Sequence, residues 1–246
     1  MASTDADLAA YAWKSISSFL RIYKNSIDGI QSVDFPEDPI SSEIRGEMNM
    51  IYQEQFEEAA TIDLHDKDIE KAMINFTGDA AIPGFPSIDA FLALINPLLK
   101  KLQAPAYSAC NRIHEMMEDE AHKIIDHIMI KKFPDFNYKF TDLIKRVLEK
   151  YRKELENYLN FLLDSELSYL YTNDASYLMG DFGLTEKEKE KIETGKIRDP
   201  LIFELRKRID SYHKLIVRNL RDLLPKQVFN FLIVKCLKGM EFEAFQ

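Results

Sequence analysis

The chain of 246 residues carries 41 acidic against 32 basic side chains, a formal net charge of −9, and is 46% hydrophobic with only 8 Gly and 9 Pro. That charge argues against nucleic-acid binding, which needs a clustered basic surface, and the scarcity of Gly and Pro argues against the turn density of a sandwich or barrel. Two cysteines, Cys110 and Cys236, build no disulfide framework and read as reduced residues of a cytosolic protein.

The N-terminus, MASTDADLAAYAW, lacks the basic region and apolar run of a signal peptide. No stretch approaches the roughly 18 consecutive apolar residues of a membrane span. The reading is a soluble intracellular chain. A first helix is predicted from about Asp5 to Ile30, with Leu8, Ala12, Ile16, Phe19, Tyr23, Ile27 and Ile30 on one stripe and Gly29 ending it. A second starts near Ser41 or Ser42, either of which suits an N-cap, and carries Ile44, Met48, Ile51, Tyr52, Phe56 and Ala59. A third covers Asp66 to Phe76, with Ile69, Met73 and Phe76 inward.

After a Gly- and Pro-rich break at Thr77 to Pro86 comes the longest run, Ser87 to Lys132. Its stripe is Phe91, Ile95, Leu98, Leu102, Ala106, Ala109, Ile113, Met117, Ala121, Ile124 and Ile128. As one helix it would reach roughly 65–70 Å. Pro97 and Pro105 lie inside it, which predicts a late start near Pro97 or kinks at either proline; the unbroken phase across Pro105 favours a kink there over an end. The next helix is predicted over Tyr138 to Tyr171, after Pro134, with Phe140, Ile144, Val147, Tyr151, Leu155, Tyr158 and Leu162 inward until Glu166 interrupts the stripe. Met179 to Asp199 holds a self-cancelling Lys/Glu run and reads as a linker or short exposed helix. A last helical region starts at Pro200 and is interrupted at Pro225. The fold class is all-α, an elongated antiparallel four-helix bundle with kinked long helices.

Chemical motifs are scarce. Gly195-Lys196 lacks both the leading glycine and the following Ser or Thr of a phosphate loop. His114-Glu115 opens like a zinc-protease helix, but position 118 is glutamate. Asp119-x-x-His122 and Asp210-x-x-His213 have the carboxylate-x-x-His spacing of di-iron bundles. His122 falls on the far side of the helix from the core stripe, so both histidines read as solvated surface residues. A dinuclear-metal bundle oxidase and a non-self-associating adaptor bundle stand as alternatives to assembly. No catalytic, cofactor-binding or metal residue is assigned.

Three segments together carry a resemblance. DKDIEKAMINFTGD with IPGFPSIDAFLALINPLLKKLQAPAYSACNRIHEMM is similar to the middle-domain stalk of the dynamin superfamily. KFPDF with FLLDSELSYLYTNDASY resembles the end of that middle domain. ELRKRIDSYHKLIVRNLRDLLPKQVFNFLIVK resembles the family's GTPase effector domain. The flavour is that of the organelle-division branch, and Pro83 to Phe85 is also similar to the antiviral Mx proteins. The resemblance implies a stalk made of a middle-domain part, residues 1–178, a shortened linker, 179–199, in place of an insert or lipid-binding region, and an effector-domain part, 200–246. It implies a chain that lacks the GTPase domain of its parent, as an excised or engineered stalk would.

By the same resemblance the partners are a second copy of the chain, in a homodimer or higher oligomer, the parent's GTPase domain and, through the assembled parent, a membrane. The location implied is cytoplasmic and peripheral to membranes. A two-fold contact maps onto Leu163, Leu167 and Tyr169 and, beyond Pro225, onto Val228, Asn230 and Phe231. An assembly loop maps onto Gly78, Asp79, Ala80 and Ala81, without the family's arginine, and its basic neighbours onto Lys67 and either His122 or Lys123. The function implied is self-assembly into rings or helices that couple GTP hydrolysis to membrane remodelling or fission.

Overall fold

The computed structural model describes residues 5–76, 88–129, 133–180, 185–194 and 200–245, and every regular element among them is helical. Helix α1, Asp5–Asp28, forms where Ile16, Phe19, Ile22, Tyr23 and Ile27 recur every three or four residues, and all five are buried. It stops at Gly29, whose φ of +79° is the left-handed conformation a glycine adopts without a Cβ penalty. Ile30 N–H then reaches back to the Asn25 carbonyl at 2.8 Å and Gly29 N–H to that of Ser26 at 3.4 Å, the paired closing bonds of a Schellman end. Ile30, expected inward, is 53% exposed because the chain has already left the helix.

Helix α2, Ser41–Met50, passes through a π-helical turn, Ile51–Gln55, into the short α3, Phe56–Ala59. Neither serine caps α2. Ile40 holds the cap position without a side-chain bond, and it is placed there by burial of its own side chain. Helix α4 spans Asp66–Phe76 as predicted, although Phe76 is exposed and Ala72 joins Ile69 on the buried face.

The long run divides into α5, Ile88–Lys101, and α6, Gln103–Ile128. The helix does not wait for Pro97, which sits inside α5. The interruption falls at Leu102, whose N–H turns to the Leu99 carbonyl at 3.1 Å. Three residues on, Pro105 has no N–H to offer the Lys101 carbonyl, so the helical ladder lacks a rung at this place. Pro134 opens α7, Pro134–Ser168, rather than separating it from what precedes, since a first-turn proline loses no helical bond. Then come α8, Ala175–Leu178, α9, Glu186–Glu193, and α10, Pro200–Val228. Pro225 is accommodated within α10. The ladder widens just after it, in a π-helical segment Phe229–Lys235 that leads into α11, Cys236–Ala244.

The chain forms two compact units, residues 1–54, 105–160 and 223–246 in one and residues 55–104 and 161–222 in the other. In the first, Phe19 of α1 stacks on Tyr23 at 5.2 Å and meets Phe140 of α7 edge-on at 5.3 Å. The Tyr23 hydroxyl, deep in this core, donates to the Met117 carbonyl of α6 at 3.0 Å. In the second, α4 and α5 pack together, and Ile95, Leu98, Leu99, Leu205, Ile209 and Ile216 supply buried apolar surface. Arg206 of α10 donates to the Leu64 carbonyl at 2.5 Å and to Asp66 at 2.6 Å, tying the start of α4 to this unit.

Candidate assembly surfaces

In the first unit the residues beyond Pro225 divide sharply. Val228 is fully buried and Phe231 is 8% exposed. Phe231 packs against Tyr158 of α7 with ring centroids 5.7 Å apart, and Lys235 Nζ lies 3.6 Å above its ring, a cation–π contact. Both side chains are thus occupied within the single chain. Asn230 and Phe229 face outward, Phe229 at 50% exposure. The wider π-helical turn, with i→i+5 bonding, lets Phe231, Leu232 and Ile233 all turn inward while their two predecessors stay out.

In the second unit Leu163 is buried, Leu167 half-buried and Tyr169 73% exposed. Tyr169 follows the last turn of α7 and stacks on Tyr171, with centroids 6.2 Å apart and planes 15° from parallel. This non-helical segment is held at its far end by Asp174. The Asp174 carboxylate caps α8, accepting from Ser176 N–H at 2.9 Å and Tyr177 N–H at 3.2 Å. It also pairs with Arg218 of α10 at 2.6 Å. The Ser176 hydroxyl, those backbone donors and the Arg218 charge hold its pKa below the ordinary carboxylate value. The tyrosine pair is therefore presented on a fixed segment.

The basic residues are less uniform than the spacing suggests. Lys67 is exposed on α4, His122 is half-buried, and Lys123 is exposed but ion-paired with Glu37 at 3.3 Å. Gly78, Asp79, Ala80 and Ala81 lie outside the described residues.

The histidines need a correction. His213 is 1% exposed, with no hydrogen-bond partner at Nε2. It lies four residues after Ile209 and three before Ile216, on the core stripe rather than the solvated face. Burial, assisted by the nearby Lys101 charge, pushes its pKa down to about 4. His114, also buried, has its Nε2 3.9 Å from Glu149. It borders a recess of about 580 Å³ shared with Glu118, Asp142, Lys145, Arg146, Glu149, Lys150 and Lys153. The charges there are mutually paired: Lys145 with Glu118, Arg146 with Asp142 and Lys153 with Glu149. Glu149 is drawn down to about 2, first by its bond from Arg152. Among the described residues no three His, Cys, Asp or Glu side chains converge to hold a metal ion. Both thiols are buried, and burial raises each to about 12, which leaves them unreactive.

Sequence spacing missed Glu120, a carboxylate in the core at 1% exposure. It accepts the Ser26 hydroxyl through Oε1 and has no partner at Oε2. Burial raises its pKa above the ordinary glutamate value.

Residues 1–182 match a family model described as the dynamin central region. A comparison with curated proteins finds no match.

Proposed function

The chain belongs to the dynamin central-region family, a stalk rather than a GTPase domain, and from that premise we propose that it is an assembly module. It self-associates and couples GTP hydrolysis in a parent's GTPase domain to membrane remodelling or fission. The family match over most of the chain carries this reading. It is supported by an exposed stacked pair, Tyr169 and Tyr171, on a segment fixed by the Asp174 cap, because rigid exposed aromatics anchor interfaces at little entropic cost.

The candidates for the two-fold contact are, in the second unit, Tyr169 at the surface with Leu163 and Leu167 behind it and, taken separately in the first unit, Asn230 at the surface with Val228 and Phe231 behind it. Residues Gly78 to Ala81, with Lys67 and His122 or Lys123 as basic counterparts, extend the dimer into rings or helices in the cytoplasm, peripheral to the membrane. Sedimentation velocity of the chain against Tyr169→Asp and Lys67→Glu tests this division of labour. Tyr169→Asp should remove the dimer, whereas Lys67→Glu should remove only species larger than it. Loss of neither species in either variant contradicts the assignment. Phe231→Asp is a poor probe, since its side chain is 8% exposed and a carboxylate there unfolds its surroundings.

A further inference from the structure

The segment between α1 and α2 is laid along α6, and its attachments climb one face of that helix. His127 Nε2 lies 2.7 Å from the Asp34 carbonyl oxygen, which can only accept, so the imidazole nitrogen is the donor. The same ring meets Phe35 edge-on at 5.4 Å. One turn earlier on α6, Lys123 Nζ lies 3.3 Å from Glu37. One turn earlier still, Glu120 accepts the Ser26 hydroxyl, and that oxygen in turn accepts the Ile40 N–H at 3.2 Å. Positions 34, 37 and 40 thus run antiparallel to 127, 123 and 120, the three- and four-residue steps that share a helix face. Arg21 of α1 holds Asp34 from the other side at 2.5 Å, and Phe35, 4% exposed, pins the middle.

The segment is acidic, with Asp34, Glu37 and Asp38 within five positions. Of its attachments, the Phe35 side chain and the Ser26–Ile40 bond are buried, whereas Lys123 and Glu37 are each half-exposed. The exposed attachments, Glu37 to Lys123 and Asp34 to Arg21 and His127, are consequently the parts that a solvent-borne or incoming group can compete for. Lys123 is also, with His122, one of the two alternatives for the second basic neighbour in the higher-assembly reading above.

We propose that residues 30–40 form an autoinhibitory strap in which Glu37 neutralises Lys123 within the single chain. The proposal rests on the assembly reading and names its regulation. A carboxylate of a second copy, readily supplied by a chain of net charge −9, must displace Glu37 to reach Lys123. The strap thus sets a threshold concentration for growth beyond the dimer.

Sedimentation equilibrium and amide exchange on the full chain test this, using Glu37→Gln, Lys123→Gln and the double variant. Glu37→Gln should speed exchange across residues 31–39 and tighten self-association about two- to fivefold, the range of one partly exposed ion pair. Lys123→Gln and the double variant should both associate more weakly than Glu37→Gln. Unchanged association in Glu37→Gln, while the natural chain associates, overturns the strap and leaves the assembly reading standing. Tightening that survives in the double variant overturns it as well, since Lys123 is then not the masked group. Monomers throughout contradict both the strap and the assembly reading.

Discussion

Gly239 of α11 brings its backbone onto the ring of Tyr151 in α7, so close that a β-carbon at position 239 would stand 2.5 Å from Tyr151 Cε2 and 2.8 Å from its hydroxyl oxygen. This contact accounts for a glycine inside a helix, where alanine would otherwise be favoured by about 1 kcal/mol. Gly239→Ala sets that gain against an overlap whose relief costs about 1–3 kcal/mol. Urea unfolding should show a net loss of about 1 kcal/mol. In a Tyr151→Leu background the same change should become stabilising, and the two-residue cycle measures the coupling.

Gly29 is the second position where only glycine serves. Its φ of +79° costs an L-residue about 1–2 kcal/mol, and a β-carbon there would also stand 2.7 Å from Ser41 Oγ. Gly29→Ala should lower the unfolding free energy by at least about that amount. Ser41→Ala added to it should recover only the steric part. A neutral Gly29→Ala would mean that α1 ends differently.

His213 makes the second unit acid-sensitive. Its pKa is depressed to about 4 by burial and by Lys101, so the unfolded chain takes up a proton at higher pH than the folded one. The stability tied to the neutral imidazole is complete above about 6.5 and is lost progressively as pH falls toward 4. Between pH 7 and pH 5 the loss should be about 2 kcal/mol in urea unfolding of the full chain. His213→Leu should flatten that slope, and a slope that persists places the titrating group elsewhere.

Glu120 acts with the opposite sign in the first unit. Burial raises its pKa, opposed by the Ser26 hydroxyl and by Lys123 and reinforced by the nearby carboxylates Glu37 and Glu43. The folded state therefore holds a proton that the unfolded state releases, and the associated stability is lost as pH rises through the folded pKa. Glu120→Gln keeps the acceptor for Ser26 and removes the charge. It should stabilise the chain in alkaline buffer and leave it nearly unchanged in acid, as read from unfolding midpoints at the two extremes.

What was legible in the sequence was spacing. The stripe from Ile95 through Ile124 is buried at each position, and Asp66–Phe76 has the predicted bounds. The helix ends were less legible because proline acts through the carbonyl four residues back: Pro105 has no N–H for Lys101 and the break falls just after it, at Leu102, whereas Pro225 remains inside its helix. In the polar core, periodicity and motif point to opposite faces. His213 closes an Asp-x-x-His motif yet belongs to the Ile209–Ile216 stripe, and Glu120 lies three residues after Met117 and four before Ile124 on the stripe of α6. The assembly residues were placed by resemblance, and only the structure separates exposed Tyr169 and Asn230 from buried Val228 and Phe231. The Glu37–Lys123 pair joins residues far apart in the chain, which no local pattern announces.

Static light scattering of the full chain across concentration, beside Tyr169→Asp, tests self-association most directly. The mean mass of the natural chain should climb from one chain toward two and beyond. Tyr169→Asp should remain monomeric over the same range with unchanged helical circular dichroism, since Tyr169 is 73% exposed and its loss costs the fold little. A natural chain that stays monomeric throughout, or a Tyr169→Asp variant that associates as the natural chain does, contradicts the account.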